Sequence, residues 1–198
     1  DDITALPSGK FSVVKSIFTY DGELKSAQPG QAITITLEDE IDVSRGDMLV
    51  HKGTEQKLTN KLDAHIVWMD ENPLRCHKEY TFKFATKSCS GKVSAIKHKV
   101  DVNTLEHHEE NSDTLTLNEI ALASISLTDN VAVDKYSQLP QTGAFVVIDR
   151  YTNVTVGSGM IEYIDSDDTT QERIYSDAEI ELNAYIRKNY PEWDCLVI

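Results

Sequence analysis

TNKLDAHIVWM, residues 59–69, can be read in two ways that lead to different folds. Asn60-Lys61-Leu62-Asp63 spells N-K-x-D, the tetrapeptide with which many GTPases read guanine, and there it follows a buried strand of a parallel α/β sheet. From Leu62 onward the same residues alternate, with Leu62, Ala64, Ile66 and Trp68 on one side and Asp63, His65, Val67 and Met69 on the other. That is the period-two pattern of a half-buried strand. Context decides between the readings. The preceding HKGTEQKLT is polar, no phosphate loop of the form GxxxxGK[ST] occurs anywhere in the 198 residues, and no alternation of strands with helices supplies the sheet such a loop needs. The tetrapeptide is therefore read as a turn leading into a strand over Leu62–Met69, with Trp68 and Ile66 in a core face.

Other segments repeat the strand pattern. AITITL (32–37) places Ile33, Ile35 and Leu37 opposite Thr34 and Thr36, and YTFKF (80–84) places Tyr80, Phe82 and Phe84 opposite Thr81 and Lys83. Further strands are expected at Phe11–Phe18, Met48–Val50, Lys92–Val100, Leu115–Leu117, Ile120–Leu127, Ala144–Ile148 and Val154–Val156, separated by turn signals at a spacing that implies barrels. Helix periodicity enters only near the end. There SDAEIELNAYIRKNYPEW opens with a capping box, Ser176 followed by Glu179, and stops at Pro191. Ala178, Leu182, Tyr185, Ile186 and Asn189 share a stripe, so this helix is expected to dock on a barrel after the solvated linker DSDDTTQER. The fold class is thus mostly β, with antiparallel barrels and a short C-terminal α-helix.

A formal net charge of −14 argues against nucleic acid and anionic membranes, because affinity for polyanions comes from Lys and Arg displacing counterions. No apolar run approaches the ~20 residues that span a bilayer, and DDITALPSGK has neither the basic nor the apolar region of a signal peptide. A cytoplasmic location is expected. The three cysteines, Cys76, Cys89 and Cys195, are scattered and odd in number, so no disulfide is expected.

Clusters of reactive residue types do not resolve into a site. Cys76 and His77 are adjacent, and His107 and His108 lie among Glu106, Glu109 and Glu110, but without the paired spacings of a closed zinc centre. Asp165 and Asp167 imitate a calcium loop that then fails at Thr169 and Thr170. Asn153-Val154-Thr155 is a glycosylation sequon without meaning in a cytosolic chain. Glu38, Asp39, Glu40 and Asp42 read as an exposed strand end. No nucleophile, base and oxyanion donor come together, so no catalytic, cofactor-binding or metal-ligating residue is assigned. Gly22, Gly157 and Gly159 are read as serving turns and bulges, and Asp101 with Asn103 as fixing the chain after a strand.

FTYDGELKSAQPGQAITITLEDEIDVSRGDMLV, AHIVWMDENPL, IKHKVDVNTLEH, LNEIALASISL and TGAFVVIDRYTNVTVGSGMI, in this order, resemble the part that follows the G domain in the large, GTPase subunit of bacterial sulfate adenylyltransferases. ELNAYIRKNYPEW resembles the tail of that subunit in its stand-alone form. The resemblance implies elongation-factor-like β-barrels. Residues 1–55 would be the second part of barrel domain II, truncated at its start; 56–164 would be barrel domain III; 165–198 would be the linker and helix. It implies a partner, the catalytic small subunit, which joins ATP and sulfate to give adenosine 5′-phosphosulfate and pyrophosphate while GTP hydrolysis on the large subunit drives the reaction. GTP and Mg would belong to the parent chain's G domain, itself a partner of the barrels, and not to these residues. No fused phosphosulfate kinase is expected. SQLPQTGAF departs from the family's arginine-rich pattern before TG[AS]F, so an arginine contact is not expected there.

Two other classes remain open on the residues alone. One is an elongation-factor-like module that holds RNA, which would need a basic groove with exposed aromatics. The other is a protein-interaction module without nucleotide chemistry in its parent. Arg150 in IDRYTN is the one residue singled out for an inter-domain or inter-subunit contact, because a guanidinium at a hairpin rim offers bidentate pairing.

Overall fold

The computed structural model describes residues 1–54, 57–101, 107–108 and 113–164. They fall within one compact unit, Asp1–Ser166. The expected helix at Ser176–Asn189, its linker and Asn103 lie outside the described residues.

The fold is mostly β. β1 (Asp2–Leu6), β2 (Lys10–Thr19), β3 (Gly22–Leu24), β4 (Thr34–Leu37) and β5 (Met48–His51) form a five-stranded antiparallel sheet. β1 pairs with β2 and β5, and β2 continues to β3 and β4. This is a half-barrel. Its burial is accordingly shallow: Ile3, Ala5 and Ser12 are buried, whereas Phe11 is 61% exposed. β5 pairs only with β1 among the described residues. Leu6, Pro7 and Met48 face Leu58, Phe84 and Val131 of the second body across a small gap.

β6 (Lys57–Trp68), β8 (Glu79–Lys83), β9 (Ser88–Val100), β12 (Ile120–Val133), β13 (Ala144–Ile148) and β14 (Thr155–Ile164) make the second body. Each is antiparallel to its neighbour in the order β9, β12, β6, β14, β13, β8, and the pairing of β8 with β9 closes the circle into a six-stranded barrel. β10 (His107–His108) extends β9 outside the barrel, β7 (Leu74–Arg75) pairs with β11 (Thr114–Leu115), and α1 (Pro140–Gly143) is a single turn before β13.

Closure explains the alternation. Leu62, Ala64, Ile66 and Trp68 point inward with Tyr80, Phe82, Ala121, Ala123, Ile125, Phe145, Val147 and Ile161, all buried. Aromatic rings set the packing: Trp68 meets Tyr80 edge to face at 5.6 Å, and Phe145 lies 5.7 Å from Phe82 and 5.3 Å from Phe84. Glycines open the wall for these rings. A Cβ on Gly159 would collide with the ring of Phe145, and one on Gly157 would sit 3.1 Å from Trp68. Gly22 serves a turn instead, at φ 123° where the chain turns from β2 into the start of β3.

The expected strands are present, with shifted limits. β6 starts at Lys57 rather than Leu62, so Asn60 and Lys61 are not a turn but lie within the strand, Lys61 paired with Ser126 in the ladder to β12 and Asn60 at the irregularity beside it. A bulge between Ser126 and Val131 interrupts that ladder, and the Thr59 hydroxyl covers the irregularity by accepting from Lys61 N at 3.0 Å and donating to Lys61 O at 2.7 Å. β12 and β14 run well beyond Leu127 and Val156. β1, β3 and β7 were not expected. Strand β1 carries alternating Ile3 and Ala5 in an acidic start where alanine gives little β signal.

Candidate functional site

One end of the barrel gathers the polar chemistry. There β6 ends at Trp68, the loop 69–73 crosses to β7, β8 begins after Lys78, and the turn after β13 runs from Asp149 to Val154. These segments surround a cleft of about 380 Å³ lined by Trp68, Asp70, Arg75, Lys78, Asp149 and Thr152 among others. That volume lies in the range of small-ligand pockets, about 300–1,000 Å³. The loop is held by its own bonds: Trp68 Nε1 donates to Asn72 O at 2.8 Å, and Asn72 N donates to Asp70 Oδ1 at 2.7 Å.

Asp149 organises the opposite wall. Its carboxylate accepts from Lys78 Nζ at 2.8 Å, from Tyr151 N at 2.9 Å and from Thr152 N at 3.1 Å. This is an Asx-type turn, in which a short acid substitutes for backbone acceptors. The hydrogen bond from Lys78, then those from the Thr152 and Tyr151 N–H groups, hold the Asp149 carboxyl well below the usual carboxylate range. Lys78 is raised in turn, first by its hydrogen bond to Asp149, and its ammonium stands 5.0 Å over the Tyr80 ring. Arg75 makes no side-chain ion pair among the described residues.

This arrangement offers charged and hydrogen-bonding groups suited to recognising and holding. Burial pushes the Cys76 thiol up, and the Cys89 thiol up to about 11, so neither is a thiolate near neutral pH. Both are free. No group of three or more His, Cys, Asp or Glu side chains poised for a metal occurs among the described residues. The side chains of the His107 and His108 cluster and the acidic run from Asp165 lie outside them.

Asn60, Lys61 and Asp63 do not fit a guanine base. They stand in mid-strand, and both oxygens of Asp63 are occupied on the outer face of the barrel, by Ser124 Oγ at 2.7 Å and Lys97 Nζ at 2.6 Å. Arg150 follows Asp149 at the rim of the cleft and pairs with Glu79 of β8, both side chains being largely exposed. Sequence reasoning thus selected the neighbour of the organising residue. Asp149 itself, with Lys78 and Arg75, was missed, although D-x-x-T over Asp149–Thr152 is a readable Asx-turn signal. Glu38, Glu40 and Asp42 lie in the exposed loop after β4, where Asp39 accepts from Ser12 Oγ at 3.1 Å.

The six-stranded barrel is also the part matched by a family model. The model described as GTP-eEF1A C-terminal domain-like covers residues 61–162, from within β6 to within β14. The chain belongs to this family. Among curated relatives it is 53% identical to sulfate adenylyltransferase subunit 1 of Teredinibacter turnerae over 98% of its own length and 41% of the relative's. For the same subunit of Cellvibrio japonicus the figures are 50%, 98% and 40%. The chain therefore spans about 41% of the length of the curated relatives it matches. Among solved structures, sup35 complexed with GDP superposes with a TM-score of 0.74 at 18% identity, over 83% of this chain and 40% of that one. Sup35 complexed with GMPPNP gives 0.73 at 17% identity. At such identities the likeness is one of fold, a translation-factor-like pair of β bodies.

Proposed function

We propose that this chain is the barrel region of the large, GTPase subunit of sulfate adenylyltransferase, acting in sulfate assimilation in the cytoplasm as an interaction scaffold. The observation that carries the reading is the ~50% identity to subunit 1 relatives along nearly the whole chain. The site chemistry supports it: the cleft and rim offer paired and unpaired charges for recognition. In this reading the parent complex makes adenosine 5′-phosphosulfate and pyrophosphate from ATP and sulfate. GTP and Mg would be held by the G domain of the parent, and these residues would hold neither. The barrels would join that domain to the catalytic small subunit, with Arg150 at an inter-domain or inter-subunit contact. No helix of the described residues is long and apolar enough to cross a membrane.

The test mixes purified catalytic subunit with this chain, and separately with a full-length subunit 1, and measures complex formation and GTP-dependent phosphosulfate synthesis as independent readouts. Binding by both and synthesis with only the full-length subunit are expected. Synthesis stimulated by GTP with this chain alone, or binding to RNA in preference to the catalytic subunit, would overturn the reading.

A further inference from the structure

The cleft at the barrel end contains a buried donor without an acceptor. Tyr80 lines the cleft and is 1% exposed. Its Oη accepts from Arg75 N at 3.4 Å, and among the described residues its own O–H donates to no acceptor. Burial of the ring raises the phenol above its ordinary value, so it stays protonated. Buried polar groups in folded proteins are bonded to protein, water or ligand. The hydrogen of Tyr80 therefore calls for an acceptor placed in the cleft.

The remaining free valences of the lining are also mostly donors. Asp149 is saturated: one oxygen takes Lys78, and the other takes Tyr151 N, Thr152 N and the Thr152 hydroxyl at 3.3 Å. Lys78 spends one N–H on that bond and keeps two. Arg75 is exposed, makes no ion pair among the described residues, and offers the planar fork that matches a carboxylate. Against these donors, Asp70 gives one oxygen to Asn72 N at 2.7 Å and keeps the other. Pro73 and Val156 add apolar wall. An inorganic oxyanion would satisfy the donors, but it would fill little of the 380 Å³ and would meet Asp70 as a like charge. A short organic acid that also carries a hydroxyl or ammonium meets both demands.

We infer that this cleft is a binding site for a small hydroxy acid or amino acid, its carboxylate held by Tyr80 Oη, Arg75 and Lys78 and its hydroxyl or ammonium held by Asp70. The residues come from the β6–β7 loop, β7, the start of β8 and the pinned turn after β13, all tied to the closed barrel, so the donors are set before the ligand arrives. The inference stands on the cleft alone and is independent of the reading of the parent complex.

The experiment titrates the chain, labelled with ¹⁵N, with L-malate, L-serine and sodium sulfate at constant ionic strength. It follows the Trp68 indole N–H, which donates to Asn72 O at the cleft at 2.8 Å, and records Tm for every variant. L-Malate or L-serine should give a saturable shift with Kd below about 1 mM, the arm that saturates telling hydroxyl from ammonium, and sulfate should bind at least tenfold more weakly. Tyr80→Phe, which removes only the hydroxyl, and Arg75→Ala, which removes an exposed side chain, should each raise Kd at least tenfold with Tm little changed. Asp70→Asn should narrow the gap between the organic acid and sulfate. Lys97→Ala, which removes a cation of the barrel wall paired with Asp63, should bind as wild type. No saturable shift with either acid would leave the Tyr80 hydroxyl to water and overturn the inference. Sulfate binding as tightly as the acids, or acid binding that Tyr80→Phe and Arg75→Ala both leave unchanged, would overturn it as well.

Discussion

Replacing Asp149 should unfasten the barrel end in a pH-dependent way. The Asp149 side chain is 12% exposed and its carboxylate accepts from Lys78 at 2.8 Å and from two backbone N–H groups at 2.9 and 3.1 Å. Hydrogen bonds to a charged group contribute about 1.5–3 kcal/mol when buried, and an exposed ion pair about 0–1 kcal/mol. The Lys78 side chain is 42% exposed, so its share belongs to the smaller figure, and the two backbone bonds under the turn belong to the larger. Asp149→Ala should therefore lower stability by about 2–4 kcal/mol at pH 7. Asp149→Asn keeps an oxygen for the N–H groups and loses the charge, at about 1–2 kcal/mol. Because the folded carboxyl is held below its unfolded value, its charge-dependent stability is complete above the unfolded value and is lost as pH falls towards the folded one. The unfolded value is about 3.9, and each pH unit below it removes up to about 1.4 kcal/mol. Urea unfolding followed by tryptophan fluorescence at pH 7, 5 and 3 measures the difference, since Trp68 borders the same cleft. The gap between wild type and Asp149→Asn should narrow by about 1 kcal/mol between pH 5 and pH 3. A gap that is absent at pH 7, or constant down to pH 3, would refute the pinned turn.

Other expectations follow from the same contacts. Gly159→Ala should destabilise by about 1–3 kcal/mol through overpacking, and Phe145→Leu in the same chain should recover part of that loss in a urea double-mutant cycle. Trp68→Ala should cost about 3–5 kcal/mol in thermal or urea unfolding, because it empties the end of the core. Asp63→Ala should cost about 1 kcal/mol or less from a partly exposed pair, and calorimetry should find no GTP binding before or after the change; micromolar binding abolished by it would reverse the dismissal of N-K-L-D. With a thiol-reactive disulfide reagent at pH 8, Cys89 should react much more slowly than Cys76, as judged by mass spectrometry of the labelled peptides.

What could be read from the sequence was set by how strongly each segment is forced. LDAHIVWM and YTFKF lie in a closed barrel where one face is dry, so burial imposes strict alternation and the strands show plainly. β1 is equally central to its sheet, yet that half-barrel buries little, and its short acidic strand has no comparable pattern to display. The limits of β6 were lost because the bulge at Ser126–Val131 is an event of the partner strand, invisible in Thr59–Lys61. Arg150 was visible as a charge in a hairpin turn. The turn-forming role of Asp149 is legible in D-x-x-T over Asp149–Thr152, but its ion pair is not, because Lys78, distant in sequence, is brought beside it only by the pairing of β8 with β13.

The placement of charge on the barrel explains why its end, not its side, is suited to recognition. On the side, Asp63 is bonded to Ser124 and Lys97, and Ser94 to Ser126 at 2.8 Å, so these polar groups already have partners within the sheet. A ligand docking there would have to compete with those bonds and would gain little from them. At the end, Arg75 and Glu71 carry no ion pair among the described residues, Asp70 keeps only its bond from Asn72 N at 2.7 Å, and Met69, Leu117 and Val154 are exposed beside them. Binding to Arg75 and Glu71 adds interactions without breaking an ion pair.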